Sequence, residues 1–321
     1  MLYLKLNKKY LTTSSLFFGA ELGVVSWRNS YLLLFLFLCL SVSGQTRYQF
    51  SHPQMGTIFK IVLFVNVSLS GVYASQKAFI RLDELNLCLS DYREDSEINR
   101  LCRTSGTGEY VKISNDLWHI LQESAKAAQL SKGYFDVTIG PMTQLWRRMK
   151  RQKILPSPQQ IAEARAKVGI ENIIFNVENQ SVMLKKQGIR IDFGGIGKGF
   201  AEDEMMKILQ QNGIKSAMIE AGGNILVSET PTDSPRGWEI MIEKKKKYLK
   251  NCGISTSGNA YQFVEIEGKK YAHILDPRTG IGFTKPRQVS VIAKDGTSSD
   301  WLSTALYLMP KKLGKALRAK F

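Results

Sequence analysis

The feature that most constrains this chain is a glycine-rich segment at residues 190–203, RIDFGGIGKGFAED. Its four glycines follow a short apolar run and precede a segment with helical periodicity that stops at Gly213. Small residues let backbone N–H groups approach an anion at a helix N-terminus, and Lys198 adds a positive charge. The segment therefore predicts either an anion-binding turn or a tight strand-to-helix turn with a surface lysine.

Two common phosphate-binding templates do not match this segment. A P-loop needs a glycine where Asp192 stands, and a serine or threonine where Gly199 stands. The dinucleotide fingerprint G-x-G-x-x-G, counted from Gly195, needs a glycine where Phe200 stands. Any phosphate site here therefore belongs to neither of these folds.

The rest of the chain predicts one α+β domain. It has 321 residues, of which 44% are hydrophobic and 22% charged, so a sizeable core is possible. Apolar alternation predicts strands, and 3.6-residue periodicity with capping residues predicts helices; Ser157 and Gln160, for example, form a capping box. The predicted strands are 55–68, 172–177, 181–186, 189–193 and two short pieces within 215–228, and the predicted helices are 72–90, 114–133, 157–169, 199–212 and 298–309.

The N-terminal segment predicts export. Residues 31–45, YLLLFLFLCLSVSGQ, form an apolar run followed by small residues, with Arg28 ahead of it. This pattern is typical of a secretory signal peptide, and an uncleaved membrane anchor is the alternative. Residues 1–27 make a long lead, so translation is expected to start downstream of Met1. We therefore divide the chain into a signal region at 1–44 and a folded domain at 45–321.

The charge pattern argues against nucleic acid as the partner. The formal net charge is +16, which would also suit an anionic membrane surface. The basic residues are scattered apart from 243–250 and the C-terminal end, and neither run contains a DNA-binding motif or interleaved aromatic residues. We interpret 243–250 as a solvated basic loop and predict no nucleic-acid binding.

A second informative segment is SSDWLSTALYLM, residues 298–309. Its apolar spacing is helical, so Asp300 and Thr304 lie one turn apart on a shared face. A carboxylate and a hydroxyl on one face can bind a hard cation such as Mg²⁺, with backbone carbonyls completing the shell. The alternative is a helix-start aspartate favoured by the helix dipole, with a threonine bonded to a backbone carbonyl.

The segment YAHILDPRTG, residues 271–280, predicts a turn that follows a strand carrying His273. An imidazole can accept a proton near neutral pH, so this histidine is a candidate base. Ahead of it, residues 254–263 read as a hydroxyl-rich turn suited to hydrogen-bonding a ligand. Either segment alone is typical of an ordinary loop.

Two further segments carry candidate ligand-binding side chains. In GYFDVTIGP, Asp136 and Thr138 alternate with apolar residues, so both are predicted to project from one strand face. In SDYREDSEINRL, Tyr92 can stack on a planar ring. Either one alone is typical of loop or core.

Taken together and in this order, these segments resemble the ApbE-type flavin transferases, the FAD:protein FMN transferase family. The resemblance runs from MGT at residue 55 to SDWLSTAL at 299–306, which is most of the chain behind the apolar run. Its most specific pieces are FDVTIGP, DFGGIGKGFAED, EAGGN, STSGN, HILDPRTG and SDWLSTAL.

The resemblance implies a single α+β domain with mixed sheets and flanking helices that takes FAD as substrate and Mg²⁺ as cofactor. It implies transfer of FMN from FAD to a threonine or serine hydroxyl of a partner protein, with release of AMP. The implied acceptor is a flavoprotein subunit of a membrane redox complex, for example of the sodium-translocating NADH:quinone reductase type. The implied location is the periplasm or the outer face of the inner membrane.

The resemblance also implies roles for particular residues. The side chains of Asp300 and Thr304 and the carbonyl of Gly195 would bind the metal. His273 would contact FAD and act as a base, and Asp276 would orient its loop or take part in the reaction. The implied FAD-binding residues are Met55, Tyr92, Asp136, Val137, Thr138, Asp192, Lys198 and His273.

The sequence departs from the family pattern in two places. It stops soon after the 298–309 helix, with KKLGKALRAKF, where relatives continue, so the domain is expected to be short at its C-terminus. Asn259 and Ala260 also replace the more usual acidic and aromatic pair after STSG. Two other functions stay open, namely an exported Mg²⁺-dependent FAD pyrophosphatase and a flavin-binding protein without turnover.

Overall fold

The computed structural model describes residues 45–258, 263–266, 268–284 and 286–321. The predicted signal region and the departures at Asn259 and Ala260 lie outside these ranges. Within them the chain forms the predicted α+β fold, with eight helices and thirteen strands in four sheets.

The strands, numbered along the chain, are β1 Thr46–Gln54, β2 Thr57–Val65, β3 Val111–Lys112, β4 Ile173–Asn176, β5 Ser181–Leu184, β6 Ala217–Ala221, β7 Asn224–Val227, β8 Trp238–Ile242, β9 Lys245–Leu249, β10 Cys252–Gly258, β11 Phe263–Ile266, β12 Lys269–Ala272 and β13 Gln288–Ala293. The helices are α1 Ser68–Leu89, α2 Glu97–Arg103, α3 Asn115–Leu130, α4 Gly140–Gln152, α5 Pro158–Arg165, α6 Gly197–Gln211, α7 Gly296–Leu308 and α8 Lys311–Arg318, and a 3₁₀ turn spans Ile170–Asn172.

The main sheet has six antiparallel strands in the order β1-β2-β6-β7-β10-β13. Strand β2 is apolar on both sides, and successive side chains of a strand point to opposite faces of the sheet. Ile61 and Leu63 are buried on the helix-covered face. Val62 and Phe64 are buried on the other face, where Trp238 of the β8–β9 hairpin meets Phe64 edge to face at 5.7 Å. The centre of the sheet is therefore covered on both sides.

Helices α1, α6 and α7 form the layer that covers the main sheet. Helix α7 packs against α6, β10 and β13, and all of its described residues except Thr304 are buried. A helix that is buried all round is expected to be apolar all round. Asp300 breaks that rule, since it is only 3% exposed. A buried carboxylate requires compensating partners, so its surroundings are the first place to look for a site.

A smaller layer is built around α4. Its residues Leu145, Trp146 and Met149 form an apolar cluster with Tyr271 and Leu275, which flank the end of β12. This cluster anchors the turn that was predicted from DPRTG to the side of α4.

The first strand pair differs from its prediction. The predicted strand at 55–68 is shorter, since β2 begins at Thr57, and β1 was not predicted. Met55 and Gly56 form the two-residue turn between them, with positive φ angles of 50° and 72°. Strand β1 lies at the sheet edge and contains Pro53, and edge strands show only a weak apolar alternation.

Two predicted strands are wrong. Residues 189–193 form no strand, only a single parallel bridge between Arg190 and Ile139. Residues 136–138 form a turn, so Asp136 and Thr138 do not share a strand face. Both segments alternate apolar and polar residues, but the turn at 136–138 is stabilised by its own side chains.

Two predicted loops are instead strands. Residues 243–250 contain β9, which pairs with β8, although its lysines are exposed as predicted. The hydroxyl-rich segment 254–263 begins inside β10, so Ser255 and Ser257 lie on a central strand. For β10, pairing with β7 and β13 over a long sequence distance overrides local turn propensity.

The predicted helices are confirmed with small shifts at their ends. The capping box of α5 is formed, because the Ser157 hydroxyl accepts from the Gln160 N–H and the Gln160 side chain accepts from the Ser157 N–H. None of the helices in the described ranges is long and apolar enough to cross a membrane.

Candidate active site

The glycine-rich turn is held by its own hydrogen bonds. The Asp192 Oδ1 atom accepts from the Gly194 N–H at 2.8 Å, and the Phe193 carbonyl accepts from the N–H groups of Ile196 and Gly197. Helix α6 begins at Gly197, two residues earlier than predicted. The turn therefore ends directly at a helix N-terminus, where an anion is favoured.

Helices α6 and α7 touch at a pair of glycines. A Cβ atom on Gly199 would lie 2.1 Å from the carbonyl oxygen of Gly296, so only glycine permits this approach. The Gly199 N–H donates to the Asp300 Oδ2 atom at 3.0 Å. This contact fixes the buried carboxylate of Asp300 against the first turn of α6.

The three residues predicted to bind metal come together at this contact. Asp300 and Thr304 lie one turn apart on α7. A Cβ atom on Gly195 would lie 3.1 Å from the Thr304 Oγ1 atom, so the glycine-rich turn passes directly over the threonine. Lys198 reaches the same place, with Nζ 3.8 Å from Asp300 Oδ2 and 3.5 Å from the Gly194 carbonyl oxygen.

The donor set fits Mg²⁺. It consists of a carboxylate, a hydroxyl and a backbone carbonyl, which are the hard oxygen ligands that Mg²⁺ prefers. The described residues contain no group of three His, Cys, Asp or Glu side chains that would suit a softer metal. The nearby carboxyl of Glu202 is fully buried, and neither of its oxygens has a hydrogen-bond partner among the described residues. A cation beside Asp300 would offset the negative charge that collects here.

The charge state of Glu202 gives a test of this electrostatic arrangement. Burial, followed by the negative charge of Asp300, raises the pKa of Glu202 well above its ordinary value. The folded protein therefore retains a proton that the unfolded chain releases near pH 4.3. Stability from this group is lost as pH rises above that value, by up to about 1.4 kcal/mol per pH unit.

We predict that Glu202→Gln removes this pH dependence, because the amide does not titrate. The unfolding free energy of the variant minus that of the parent protein should therefore increase as pH rises from 5 to 7. Urea unfolding of both proteins in metal-free buffer at the two pH values measures the effect. A difference in unfolding free energy that stays constant with pH would contradict the prediction.

Thr304 contacts a buried network of hydroxyl groups on β10 and α7. Ser303 lies 3.0 Å from the Ser255 hydroxyl and 2.7 Å from the Ser257 hydroxyl, which in turn lies 3.4 Å from Thr304 Oγ1. Ser255 also donates to Asn224 Oδ1 at 2.7 Å. The sequence patterns indicated a hydroxyl-rich segment but not Ser303. Its position one residue before Thr304 could have suggested a partner for β10.

Met55 lies at the tip of the first hairpin. Thr57, two residues later, lies beside the β6–β7 turn, where a Cβ atom on Gly222 would come within 2.8 Å of the Thr57 hydroxyl. The following carbonyl, that of Gly223, accepts from the Thr256 N–H at 3.2 Å. The structure thus places the MGT and EAGGN segments and residues 255–258 of STSGN next to one another along one end of the main sheet.

The Asp136–Thr138 turn braces the glycine-rich turn. Asp136 Oδ1 accepts from the N–H and the hydroxyl of Thr138 at 2.8 and 2.6 Å, and Asp136 Oδ2 accepts from the Ile170 N–H at 3.0 Å. The Val137 carbonyl accepts from the Asp192 N–H at 2.7 Å. The two polar side chains are engaged by the protein, and contact of this segment with FAD stays a prediction.

Tyr92 and Asp192 are joined by an arginine that the sequence patterns did not indicate. One terminal nitrogen of the Arg147 guanidinium donates to Asp91 and the other to Asp192 Oδ2, at 2.9 Å in the second case. Its Cζ atom lies 4.0 Å from the centre of the Tyr92 ring. Arg147 sits in α4 within a run of basic residues, which reads from sequence alone as a solvated helix face.

The Asp276 carboxylate is hydrogen-bonded within its own turn, DPRTG. Arg278 donates to it from Nε at 2.9 Å and from a terminal nitrogen at 2.6 Å, and its backbone N–H donates at 2.9 Å. Trp146 of α4 donates to the Gly280 carbonyl at 2.6 Å. His273 is exposed just after β12, ahead of this turn. The geometry favours an orienting role for Asp276, whereas the sequence left a direct role open.

We predict that Asp276→Ala and Arg278→Ala lower the rate of the FMN transfer that the resemblance implies by a similar factor, about tenfold to a hundredfold, through misplacement of the loop. Because both act through one ion pair, the double variant should be no slower than either single variant. Steady-state rates of the four proteins test this. If Asp276→Ala were far slower than Arg278→Ala, the carboxylate itself would take part in the chemistry.

A cleft of about 520 Å³ lies elsewhere. It opens between α3 and α6, and its lining includes His119, Asp203 and Asp295 but none of the predicted site residues. Of the predicted residues, Met55 lines a second, open cleft at the turn between β1 and β2.

The fold and the site define an α+β protein in which a lysine and hard oxygen donors lie together at the start of helix α6. The sequence profile of the ApbE family matches residues 55–321. The chain therefore belongs to the ApbE family and is an enzyme of the transferase class.

Individual relatives agree with this assignment. The chain is 29% identical over 287 residues to the FAD:protein FMN transferase of Haemophilus influenzae, with 84% of this chain and 80% of the relative covered. It is 29% identical over 280 residues to the enzyme of the same name from Vibrio cholerae, with 83% of each chain covered. Its fold is similar to the crystal structure of the Pseudomonas stutzeri flavinyl transferase ApbE, with a TM-score of 0.77, 25% identity, and 88% of this chain and 90% of that chain covered.

Proposed function

We propose that this chain is an Mg²⁺-dependent FAD:protein FMN transferase, which moves FMN from FAD to a threonine or serine hydroxyl of a partner protein and releases AMP. The observation that carries the proposal is the approach of Gly195, Lys198, Asp300 and Thr304 to one another at the start of α6. This arrangement offers oxygen donors to a hard cation and positive charge to a diphosphate. The names of the curated relatives support the same activity.

The reaction exchanges one phosphorus–oxygen bond for another. The acceptor hydroxyl oxygen bonds to the FMN-side phosphorus, and the bond from that phosphorus to the bridging oxygen breaks, so AMP leaves with the bridging oxygen. Negative charge grows on the leaving phosphate, and Lys198 and the N-terminus of α6 are positioned to stabilise it. Mg²⁺ held by Asp300, Thr304 and the Gly195 carbonyl would supply further neutralisation of the diphosphate.

The acceptor hydroxyl must also lose its proton, because an alcohol is a poor nucleophile without a base. We assign this role to His273, since an imidazole can accept a proton near neutral pH. Asp276, bound by Arg278, would keep the loop behind His273 in place.

We further propose that the acceptor is a flavoprotein subunit of a membrane redox complex, for example of the sodium-translocating NADH:quinone reductase type. Export to the periplasm or to the outer face of the inner membrane would bring the two together, and the apolar run at 31–45 supports this. Nucleic acid is not proposed as a partner, because the exposed lysines of β9 form a short hairpin edge without a recognition motif.

The test incubates the purified protein with FAD, Mg²⁺ and a domain that carries a candidate acceptor threonine. In-gel flavin fluorescence of the acceptor and release of AMP are read together, with and without EDTA. A fluorescent acceptor and AMP, both lost with EDTA, are the expected result.

Two other results would each replace the proposal. AMP and free FMN formed with every acceptor tried, without labelling, would identify an FAD pyrophosphatase, in which water attacks the same phosphorus. Tight FAD binding without AMP would identify a flavin-binding protein.

A further inference from the structure

Arg147 stands out among the charged residues that the proposed chemistry does not use. Its side chain is 28% exposed and lies between two more deeply buried carboxylates, those of Asp91 at 11% and Asp192 at 9%. Each terminal nitrogen of the guanidinium is bound to one of these acids. The plane of the guanidinium is therefore fixed, because a group that is hydrogen-bonded at both terminal nitrogens cannot rotate freely.

The Tyr92 ring lies on this fixed plane. The guanidinium carbon is 4.0 Å from the ring centre, which is a stacked cation–π contact. Tyr92 is nevertheless 76% exposed, the highest value among the large apolar and aromatic side chains described. Because the guanidinium packs on one face of the Tyr92 ring, the ring is ordered before any ligand binds, although it is open to solvent. A ligand that stacks on it pays little further ordering entropy.

Arg147 also connects this ring to the glycine-rich turn. Asp192 receives Arg147 on one carboxylate oxygen and the Gly194 N–H on the other. Without the guanidinium, the Asp91 and Asp192 carboxylates would face each other uncompensated. Burial, followed by the charge of Asp192, already raises the pKa of Asp91 to about 6 even with Arg147 present. Arg147 thus sets the distance between the Tyr92 ring and the glycine-rich turn.

We propose that Arg147 is a positioning residue that presents Tyr92 as the platform for the isoalloxazine ring of FAD. The inference rests on the proposed function only in that FAD is the ligand. Arg147 acts on the flavin half of the molecule through Tyr92, which it contacts directly.

The test measures equilibrium binding of FAD and of ADP, which lacks the flavin ring, to the purified protein. Arg147→Ala is expected to lower the ratio of FAD affinity to ADP affinity about tenfold, the value of one aromatic stacking contact, because any effect through Asp192 on the diphosphate is common to both ligands. Tyr92→Ala should have the same effect. In the double variant the loss should stay near tenfold, because the second change removes a contact that the first has already broken.

Two further variants keep the test decisive. Arg147→Lys keeps a charge between the carboxylates but has no planar fork, so it should fold normally and still lose FAD affinity. Arg148→Ala, an exposed neighbour on α4, is the matched control and should bind FAD like the parent protein.

Three results would overturn the inference. The losses of Arg147→Ala and Tyr92→Ala could multiply to about a hundredfold in the double variant. FAD and ADP affinities could fall by the same factor in Arg147→Ala, so that their ratio stays at the parent value. Arg147→Lys and Arg147→Ala could both bind FAD normally.

The inference and the proposed function fail separately. If the parent protein binds FAD but transfers no FMN to any acceptor, only the proposed function falls, and the binding series still decides the role of Arg147. If the parent protein does not bind FAD, both are wrong.

Discussion

Replacing Asp300 by alanine is expected to lower the rate of FMN transfer about a thousandfold or more. The carboxylate is the single negatively charged ligand in the proposed Mg²⁺ site, and charge neutralisation by a metal contributes several kcal/mol to phosphoryl transfer. Each 1.4 kcal/mol corresponds to about tenfold in rate, so loss of the metal at this place accounts for that factor. Asp300→Asn keeps an acceptor for the Gly199 N–H without the charge and should be nearly as slow.

The measurement is AMP release at saturating FAD over a series of Mg²⁺ concentrations, with thermal unfolding to confirm that each variant is folded. The matched control is Asp295→Ser on the same helix. Asp295 caps the start of α7 by accepting from the Ser298 N–H, and serine can replace that cap at little cost. The control should keep the parent rate within about twofold. An Asp300→Ala protein that retained a tenth of the parent rate would contradict a metal-binding role.

The second large effect concerns the contact between α6 and α7. Gly199→Ala is expected to lower the free energy of unfolding by about 3 kcal/mol or more and to disorder the site. The added Cβ would lie 2.1 Å from the Gly296 carbonyl oxygen and 2.8 Å from the Asp300 Cβ atom, so two helix backbones must separate. Overpacking of a core usually costs about 1–3 kcal/mol, and a clash with backbone is harder to relieve than one with a flexible side chain.

Gly197→Ala provides the comparison, two residues earlier in the same helix. Its added Cβ would lie 3.3 Å from the Phe193 Cβ atom, a contact that a small shift relieves. Its free energy of unfolding should stay within about 1 kcal/mol of the parent value, since alanine is also the better helix former. Chemical denaturation of both variants decides the matter. Equal stabilities for Gly199→Ala and Gly197→Ala would show that the helices are not held at Gly199.

The glycine-rich turn and α7 were predictable from sequence because each depends on local spacing, whereas the metal-ligand set came from the family resemblance and stays a prediction. The one-turn separation of Asp300 and Thr304 is a property of any helix, and the start of α6 follows from the run of small residues. The resemblance to a family then placed Gly195 with them, although the passage of the glycine-rich turn over Thr304, where a Cβ atom added to Gly195 would lie 3.1 Å from the Thr304 Oγ1 atom, is visible only in the structure.

The residues that sequence did not indicate act across long distances in the chain. Arg147 meets Asp91 and Asp192 only because α4 packs beside both loops, and an arginine in a basic helical run looks solvated on its own. Ser303 likewise needs its partners on β10 to be noticed. Asp136 and Thr138 were read as a strand because short alternation does not distinguish a strand from a turn that is closed by its own side chains.

The most direct test of the proposed function is the intact mass of an acceptor domain before and after reaction with FAD and Mg²⁺, together with the amount of AMP formed. The proposed reaction predicts that the acceptor gains the mass of one FMN less one water at a threonine or serine, with one AMP released per modified acceptor. An acceptor of unchanged mass, while FAD is converted to AMP and free FMN, would show that water rather than a protein hydroxyl receives the phosphoryl group.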